Sequence, residues 1–307
     1  MTVTPILQAG QIEAAAGDIP ELRLPSAKVF SHRANRFRQL AEGHSLGDYL
    51  RFLADLADGQ QRALDQHPAI LAPDAHLLAS CREHAMPPLG TAGWRRHPHW
   101  LEVTGTLAEE MYPKVPAEGR KTFALLLAPP KDWLEAQADQ LLARTFANLN
   151  LATAPLIWAA LQVQWTYQAR QLDTYQATRH EQPALCPVCG SHPVASIIRT
   201  DGPAKGLRYL HCALCSSEWH VVRSKCSNCD TTKGVSYYSI EGGADIVRAE
   251  ACPVCHSYLK VIHQEKDPQV DPVADDLATL ALDLLMGENT FVNNGINFFM
   301  LHGNGAS

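Results

Sequence analysis

Between Leu46 and Ala57 the apolar residues Leu46, Tyr49, Leu50, Leu53, Leu56 and Ala57 fall at i, i+3, i+4, i+7, i+10 and i+11. That spacing lays one stripe along a helix of 3.6 residues per turn. Ser45 is placed to cap this helix, with Asp48 at the position of a capping-box acid. Upstream, residues 26–41 predict another helix, with Val29, Phe30, Phe37 and Leu40 on one side and His32, Arg33, Arg36 and Arg38 around the rest. Further helices are expected at about 97–112, 117–127, 131–147 and 154–175, punctuated by Pro113, Pro116, Pro129, Pro130 and Pro155. Residues 1–20 are rich in Ala and Gly and lack a period, so they read as a flexible tail ahead of a helical domain over 21–176.

The period then changes. Residues 177–185, containing His180, Glu181 and Pro183, form a polar linker. Beyond it the β-rich runs Val194 to Arg199 and Leu207 to His211 flank the turn-forming Asp201-Gly202-Pro203, with a third run at Trp219 to Val222. The plan recurs as Val235 to Ile240 and Asp245 to Ala251 around Gly242-Gly243, followed by Tyr258 to Ile262. Asp271 can then cap a helix opening on Pro272, whose expected stripe is Leu277, Leu280, Ala281, Leu284 and Leu285 before Gly287 ends it. The closing stretch with Phe291, Ile296, Phe298, Phe299, Met300 and Leu301 is too apolar to stay in water and calls for a surface to dock on. The class is α+β and multidomain: helical domain, ribbon modules at 186–225 and 226–263, and a C-terminal helix with apolar tail over 264–307.

Each ribbon module carries the same cysteine pattern, Cys-x2-Cys-x22-Cys-x2-Cys, as Cys186, Cys189, Cys212 and Cys215, then Cys226, Cys229, Cys252 and Cys255. Two tight turns aimed at one point supply the four thiolates of a closed tetrahedral site, so the spacing pairs 186/189 with 212/215 and 226/229 with 252/255. Such a set suits zinc and equally a single iron of the rubredoxin type. Gly190, directly after Cys189, suits the positive φ often needed there, whereas Asp230 at the equivalent place tolerates it less readily. His211, His220 and His256 adjoin the pairs as candidate neighbours of the ligands. Cys81 with His84 lacks a third partner and reads as an isolated core thiol. Arg95, Arg96, His97 and His99 beside Trp94 and Trp100 read as a solvated basic face.

Composition narrows the function. The chain has 307 residues, 46% of them hydrophobic, and its first eighteen contain neither a basic start nor an apolar run of signal-peptide length. With no run of eighteen apolar residues, it is expected in the cytoplasm without membrane insertion. Cysteine used in metal-type pairs fits a reducing compartment. Zinc ribbons often hold nucleic acid, which makes a zinc-ribbon nucleic-acid-binding protein the alternative. Yet the whole chain carries a net charge of −6, and residues 186–263 hold only eight basic against six acidic residues. Adding eight thiolates and two divalent ions leaves that stretch about −2, and two ferric ions leave it about neutral, so it lacks a phosphate-binding footprint. Walker, G-x-S-x-G, H-E-x-x-H and G-x-G-x-x-G motifs are missing, and no βαβ pattern surrounds a cysteine pair, so an enzyme is not expected.

Taken together, the four cysteine pairs behind a helical half, the stretch Leu46-Gly47-Asp48-Tyr49-Leu50-Arg51-Phe52 and the closing Asp275-Asp276-Leu277-Ala278-Thr279-Leu280 resemble the formate dehydrogenase accessory protein family, FdhE. The resemblance covers roughly residues 20–300. It implies a cytoplasmic, non-catalytic maturation factor of chaperone type that binds the catalytic subunit of formate dehydrogenase before twin-arginine export. It also implies iron in rubredoxin-type centres on the eight cysteines. The motifs do not give the client surface; the junction of helices and ribbons, with the apolar tail and the arginine-bearing first helix, is the expected place.

Overall fold

The structure, a computed structural model, describes residues 19–70, 73–92, 96–172, 184–201, 205–242 and 244–300. Of the segments discussed above, 1–18, 177–183, Trp94, Arg95, Gly202, Pro203, Gly243 and Leu301 lie outside the described residues. In chain order the elements are β1 (Leu22–Arg23), α1 (Val29–Leu40), α2 (Gly47–Asp65), α3 (Ala75–Glu83), α4 (His99–Met111), α5 (Ala117–Phe123), α6 (Lys131–Ala143) and α7 (Ala154–Ala169). There follow β2 (Pro193–Arg199), β3 (Leu207–Cys212), β4 (Glu218–Val221), β5 (Ser236–Tyr238), β6 (Val247–Cys252) and β7 (Ser257–His263). The chain closes with α8 (Pro272–Ala278), α9 (Leu280–Glu288) and β8 (Val292–Asn293).

The helices form around α7, which is buried on every side from Leu156 to Thr166. A helix apolar almost all round belongs in the centre of a core, and polar groups on it and on its neighbours find partners there. Gln162 Nε2 donates to the Ala213 carbonyl at 2.7 Å, Gln60 Nε2 donates to Gln162 Oε1 at 3.0 Å, and the Trp165 indole donates to the Leu89 carbonyl at 2.9 Å. Helix α2 follows the expected stripe, but its start differs. Leu46 rather than Ser45 is the N-terminal flanking residue, no side chain caps it, and Asp48 turns to Arg51 at 2.8 Å. Helix α3 was not expected; Asp74 caps it by accepting from the Leu77 N–H at 2.8 Å.

The two ribbons are one sheet. Its order is β1-β4-β3-β2-β7-β6-β5, with β8 beside β7. Within each ribbon the strands are antiparallel, and the ribbons join through a parallel pair in which Ser196, Ile197 and Ile198 of β2 face Val261, Ile262 and His263 of β7. A buried ion pair crosses the same seam, Arg208 of β3 to Glu250 of β6 at 2.8 Å. At the far edge β1 pairs with β4, so the segment ahead of the helices is itself a strand of the ribbon sheet. One apolar core runs from Phe30 through α7 to Cys186, Cys189, Cys212, Cys215 and Phe299, and a small second cluster holds Ala249, Ala251, Tyr258, Leu282 and Met286.

One expectation for the C-terminal region needs correction. The single helix is two, broken at Thr279, whose hydroxyl donates to the Asp275 carbonyl at 2.8 Å. The break shifts the helical phase, so Leu277, Leu282 and Met286 are buried while Ala281, Leu284 and Leu285 face solvent. Two arginines of α1 are buried against the C-terminal region, while Arg38 stays exposed beside Asp55 and Asp58. Arg33 is 0% exposed and pairs with Asp271 at 3.2 Å; Arg36 pairs with Asp275 at 2.6 Å and Asp267 at 2.7 Å. Asp271 meanwhile caps α8, accepting from the Val273 and Ala274 N–H groups at 3.0 and 2.9 Å. The apolar tail docks as its composition requires: Phe298 stacks on Trp158 with ring centres 3.8 Å apart, and the Tyr49 hydroxyl donates to the Phe299 carbonyl.

Candidate metal centres

Each cysteine pair sits on a tight turn built in the same way. The N–H of Cys186 donates to Ser191 at 2.9 Å, that of Cys212 to Ser217 at 2.9 Å, and that of Cys226 to Thr231 at 2.8 Å, closing a loop five residues on. Cys252 reaches the corresponding Ser257 as a strand partner. The residue directly after the second cysteine is left-handed in all four turns: Gly190 (φ 74°), Ser216 (φ 57°), Asp230 (φ 57°) and His256 (φ 53°). The conformation that was expected to trouble Asp230 is therefore taken up by three residues with side chains, each accepting a modest local cost.

These turns bring the sulfurs together in the two groups the spacing suggested. Cys186, Cys189, Cys212 and Cys215 form one and Cys226, Cys229, Cys252 and Cys255 the other, with the Sγ atoms of each group within 4.8 Å of one another. The facing pairs are Cys186 to Cys215 at 3.6 Å, Cys189 to Cys212 at 3.4 Å, Cys226 to Cys255 at 3.8 Å and Cys229 to Cys252 at 3.7 Å. A tetrahedron of sulfurs each about 2.3 Å from a zinc ion has edges of about 3.8 Å, and a disulfide is about 2.05 Å. The spacing fits a four-thiolate metal site and not a bond between sulfurs.

Neighbouring donors face the sulfurs. The N–H groups of Leu214 and Cys215 point to Cys212 Sγ, and that of Asn228 to Cys226 Sγ, all at 3.4 Å. Ser257 Oγ lies 3.0 Å from Cys255 Sγ. Donors of this kind favour the thiolate form. Ser217 Oγ instead accepts from the Cys215 thiol at 3.3 Å. At Cys255 burial raises the thiol pKa, but the Ser257 hydroxyl and N–H together with Cys229 and Cys252 outweigh it and bring the value down to about 6. Burial pushes Cys226 up to about 12. The serines were missed from sequence, although both stand two residues after the last cysteine of their module.

The histidines contribute no ligand atom; among the described residues both groups consist of cysteines alone. His211 Nδ1 instead lies 3.0 Å from Glu218 Oε1. Cys81 is a buried thiol apart from both groups, its pKa raised by burial. Burial separates the two centres. The four cysteines of the first are each 0% exposed, whereas in the second Cys229 is exposed and Cys255 half-buried.

Comparison with known proteins places this architecture. Family models match in sequence along the chain: FdhE, N-terminal, over residues 19–182; the FdhE central domain over 185–223; and the FdhE C-terminal domain over 224–300. The chain belongs to the FdhE family. The FdhE homolog of Edwardsiella ictaluri (strain 93-146) is 44% identical over 299 residues, covering 97% of this chain and 96% of the relative. That of Yersinia pestis (strain Pestoides F) is 42% identical over 290 residues, covering 94% and 93%. The crystal structure of the FdhE protein from Pseudomonas aeruginosa has the same fold, with a TM-score of 0.82 and 38% identity over 93% of this chain and 100% of that one. The central FdhE match contains the first cysteine group and the C-terminal match the second.

Proposed function

We propose that this FdhE-family chain is a cytoplasmic accessory factor for formate dehydrogenase, binding the enzyme's catalytic subunit and holding it for maturation before twin-arginine export. In this reading Cys186, Cys189, Cys212, Cys215, Cys226, Cys229, Cys252 and Cys255 are the ligands of two metal ions, iron or zinc, that fold the ribbons without a catalytic part. The ribbons at 186–225 and 226–263 then serve as the metal-pinned half and residues 21–176 as the helical half. The observation that carries the proposal is membership of the FdhE family along 19–300 with both four-cysteine groups assembled. A site with four protein ligands has no open position for substrate, which suits a structural role. Among the described residues no helix is long and apolar enough to cross a membrane.

The experiment is complementation. A strain lacking its own FdhE protein is supplied with this chain, and formate dehydrogenase activity is measured together with co-purification of the catalytic subunit. Restored activity with capture of the subunit is expected; restored activity without any capture would overturn the binding part. Elemental analysis and a visible spectrum of protein purified without oxygen decide the metal, since a colourless preparation holding only zinc removes iron.

A further inference from the structure

Two cavities open side by side where the helices meet the ribbons, and Ile296 lines both. The larger, about 940 Å³, has Asp276 and Asp283 in its wall and, among the described residues, no basic side chain. The smaller, about 210 Å³, has the reverse character. Its polar side chains include Thr91, Arg144, Ser191 and His192, which can all donate hydrogen bonds, and among the described residues it contains no carboxylate.

Two of these groups want a partner. Arg144 ends α6 in the left-handed conformation and stands exposed at the rim. Its pKa is lowered by burial, with no acidic neighbour among the described residues to offset it. His192 Nδ1 is buried without a hydrogen-bond partner. Burial, helped by the charge of Arg144, brings the His192 pKa down to about 4. Native proteins leave few buried polar atoms unpaired, and a ligand or a water is a usual partner for one beside a cavity. Beside these donors the stacked rings of Trp158 and Phe298 give an apolar wall. One permanent cation, neutral donors and an apolar side suit a singly charged ion with a short alkyl part, not a phosphate dianion.

We infer that this pocket is a carboxylate-binding site, with Arg144 and His192 receiving the oxygens and Trp158 and Phe298 contacting the alkyl part. The carboxylate belongs either to a free small acid or to the end of a polypeptide. The inference is independent of the accessory role, because it rests only on the pocket.

The test uses the full metal-loaded chain with isotope-labelled histidine, titrated with sodium propanoate against sodium chloride at equal ionic strength. A parallel titration uses N-acetyl-trialanine and its C-terminal amide. Saturable movement of the His192 resonance with propanoate, absent with chloride, is expected, together with a rise in the His192 pKa because a bound anion favours imidazolium. Saturation by the peptide acid but not its amide assigns the end of a polypeptide; saturation by propanoate alone assigns a free acid. Arg144→Gln should weaken binding about tenfold, the scale of one charge-assisted hydrogen bond, and Arg144→Lys should restore part of it. Melting temperature and metal content serve as fold controls. A His192 resonance indifferent to propanoate up to about 0.1 M, beyond any specific affinity, or unaltered affinity in Arg144→Gln, would overturn the inference.

Discussion

Arg36 shows how a residue can be misread when its partner lies far along the chain. In sequence it is one of several basic positions around an apolar stripe; in the fold it is buried against Asp275 and Asp267, more than 230 residues away. No local pattern encodes that meeting. Burial holds Asp275 above its ordinary value of 3.8 even with the guanidinium beside it. Arg36→Met removes the cation that faces it and should cost about 3–5 kcal/mol in urea unfolding at neutral pH. The sign of the pH effect follows: a carboxyl group whose folded pKa is raised costs stability above that pKa, and the cost fades as pH falls toward 3.8. The gap between variant and parent should therefore narrow from pH 7 to pH 4, and adding Asp275→Asn should recover much of it at pH 7. A gap that stays constant on acidification would show the lost arginine acting through packing alone. Gly190, in contrast, was readable from its place after Cys189. A Cβ there would meet Pro87 Cγ at 3.3 Å in a backbone with φ of 74°, so Gly190→Val should destabilise by about 1–2 kcal/mol from conformation alone and weaken metal retention at the first centre, read by native mass spectrometry.

Among elements, those set by local pattern appear where expected and those set by contact do not. The strands of both ribbons were legible because each lies between a cysteine turn and a turn-forming cluster, with alternation at period two. The break at Thr279 was not, since the apolar run continues through it; only the fold shows α8 packed on β2 and β7 while α9 turns its other side inward. The parallel pairing of β2 with β7 was equally hidden, because each hairpin is complete without it. The chain after α9 reinforces that seam. Asn294 N–H donates to Tyr258 of the second ribbon at 2.8 Å, and Ile296 N–H donates to Pro193 of the first at 3.1 Å. Between them Gly295 leaves no room, since a Cβ would lie 2.4 Å from the Val194 carbonyl and 2.9 Å from Leu259. Gly295→Ala should displace this strap at a cost of about 1–3 kcal/mol, the usual range for overpacking. Hydrogen exchange would report it as faster exchange at Asn294 and Ile296, with α7 unchanged; protection retained at both amides would mean the backbone accommodates the methyl group.

At the scale of the whole molecule the two centres are unequal members of one structure, although their cysteine spacing is identical. The first contributes all four cysteines to the core that also holds α7 and Phe298, while none of the second group belongs to either apolar core cluster. Spacing could reveal the eight ligands but not this difference, because burial is decided by the helices that cover one ribbon and leave the other open. A chelator reaches a metal by competing for its ligands one at a time, so the centre with Cys229 exposed should yield first. Binding at such sites contributes on the order of 10–16 kcal/mol to the fold of the segment that makes them, and the two losses should differ in consequence. Loss from the second centre should loosen β5, β6 and their turns and leave the helical core intact. Loss from the first places four unliganded thiols inside the main core and should bring cooperative unfolding. Native mass spectrometry during chelation should then show a long-lived species with one ion per chain, still fully helical by circular dichroism. Cys252→Ser should reproduce that species, whereas Cys186→Ser should lower the melting temperature of the helices themselves. Simultaneous loss of both ions, or a Cys186→Ser chain melting like its parent, would show that the shared core does not couple the first centre to the helices.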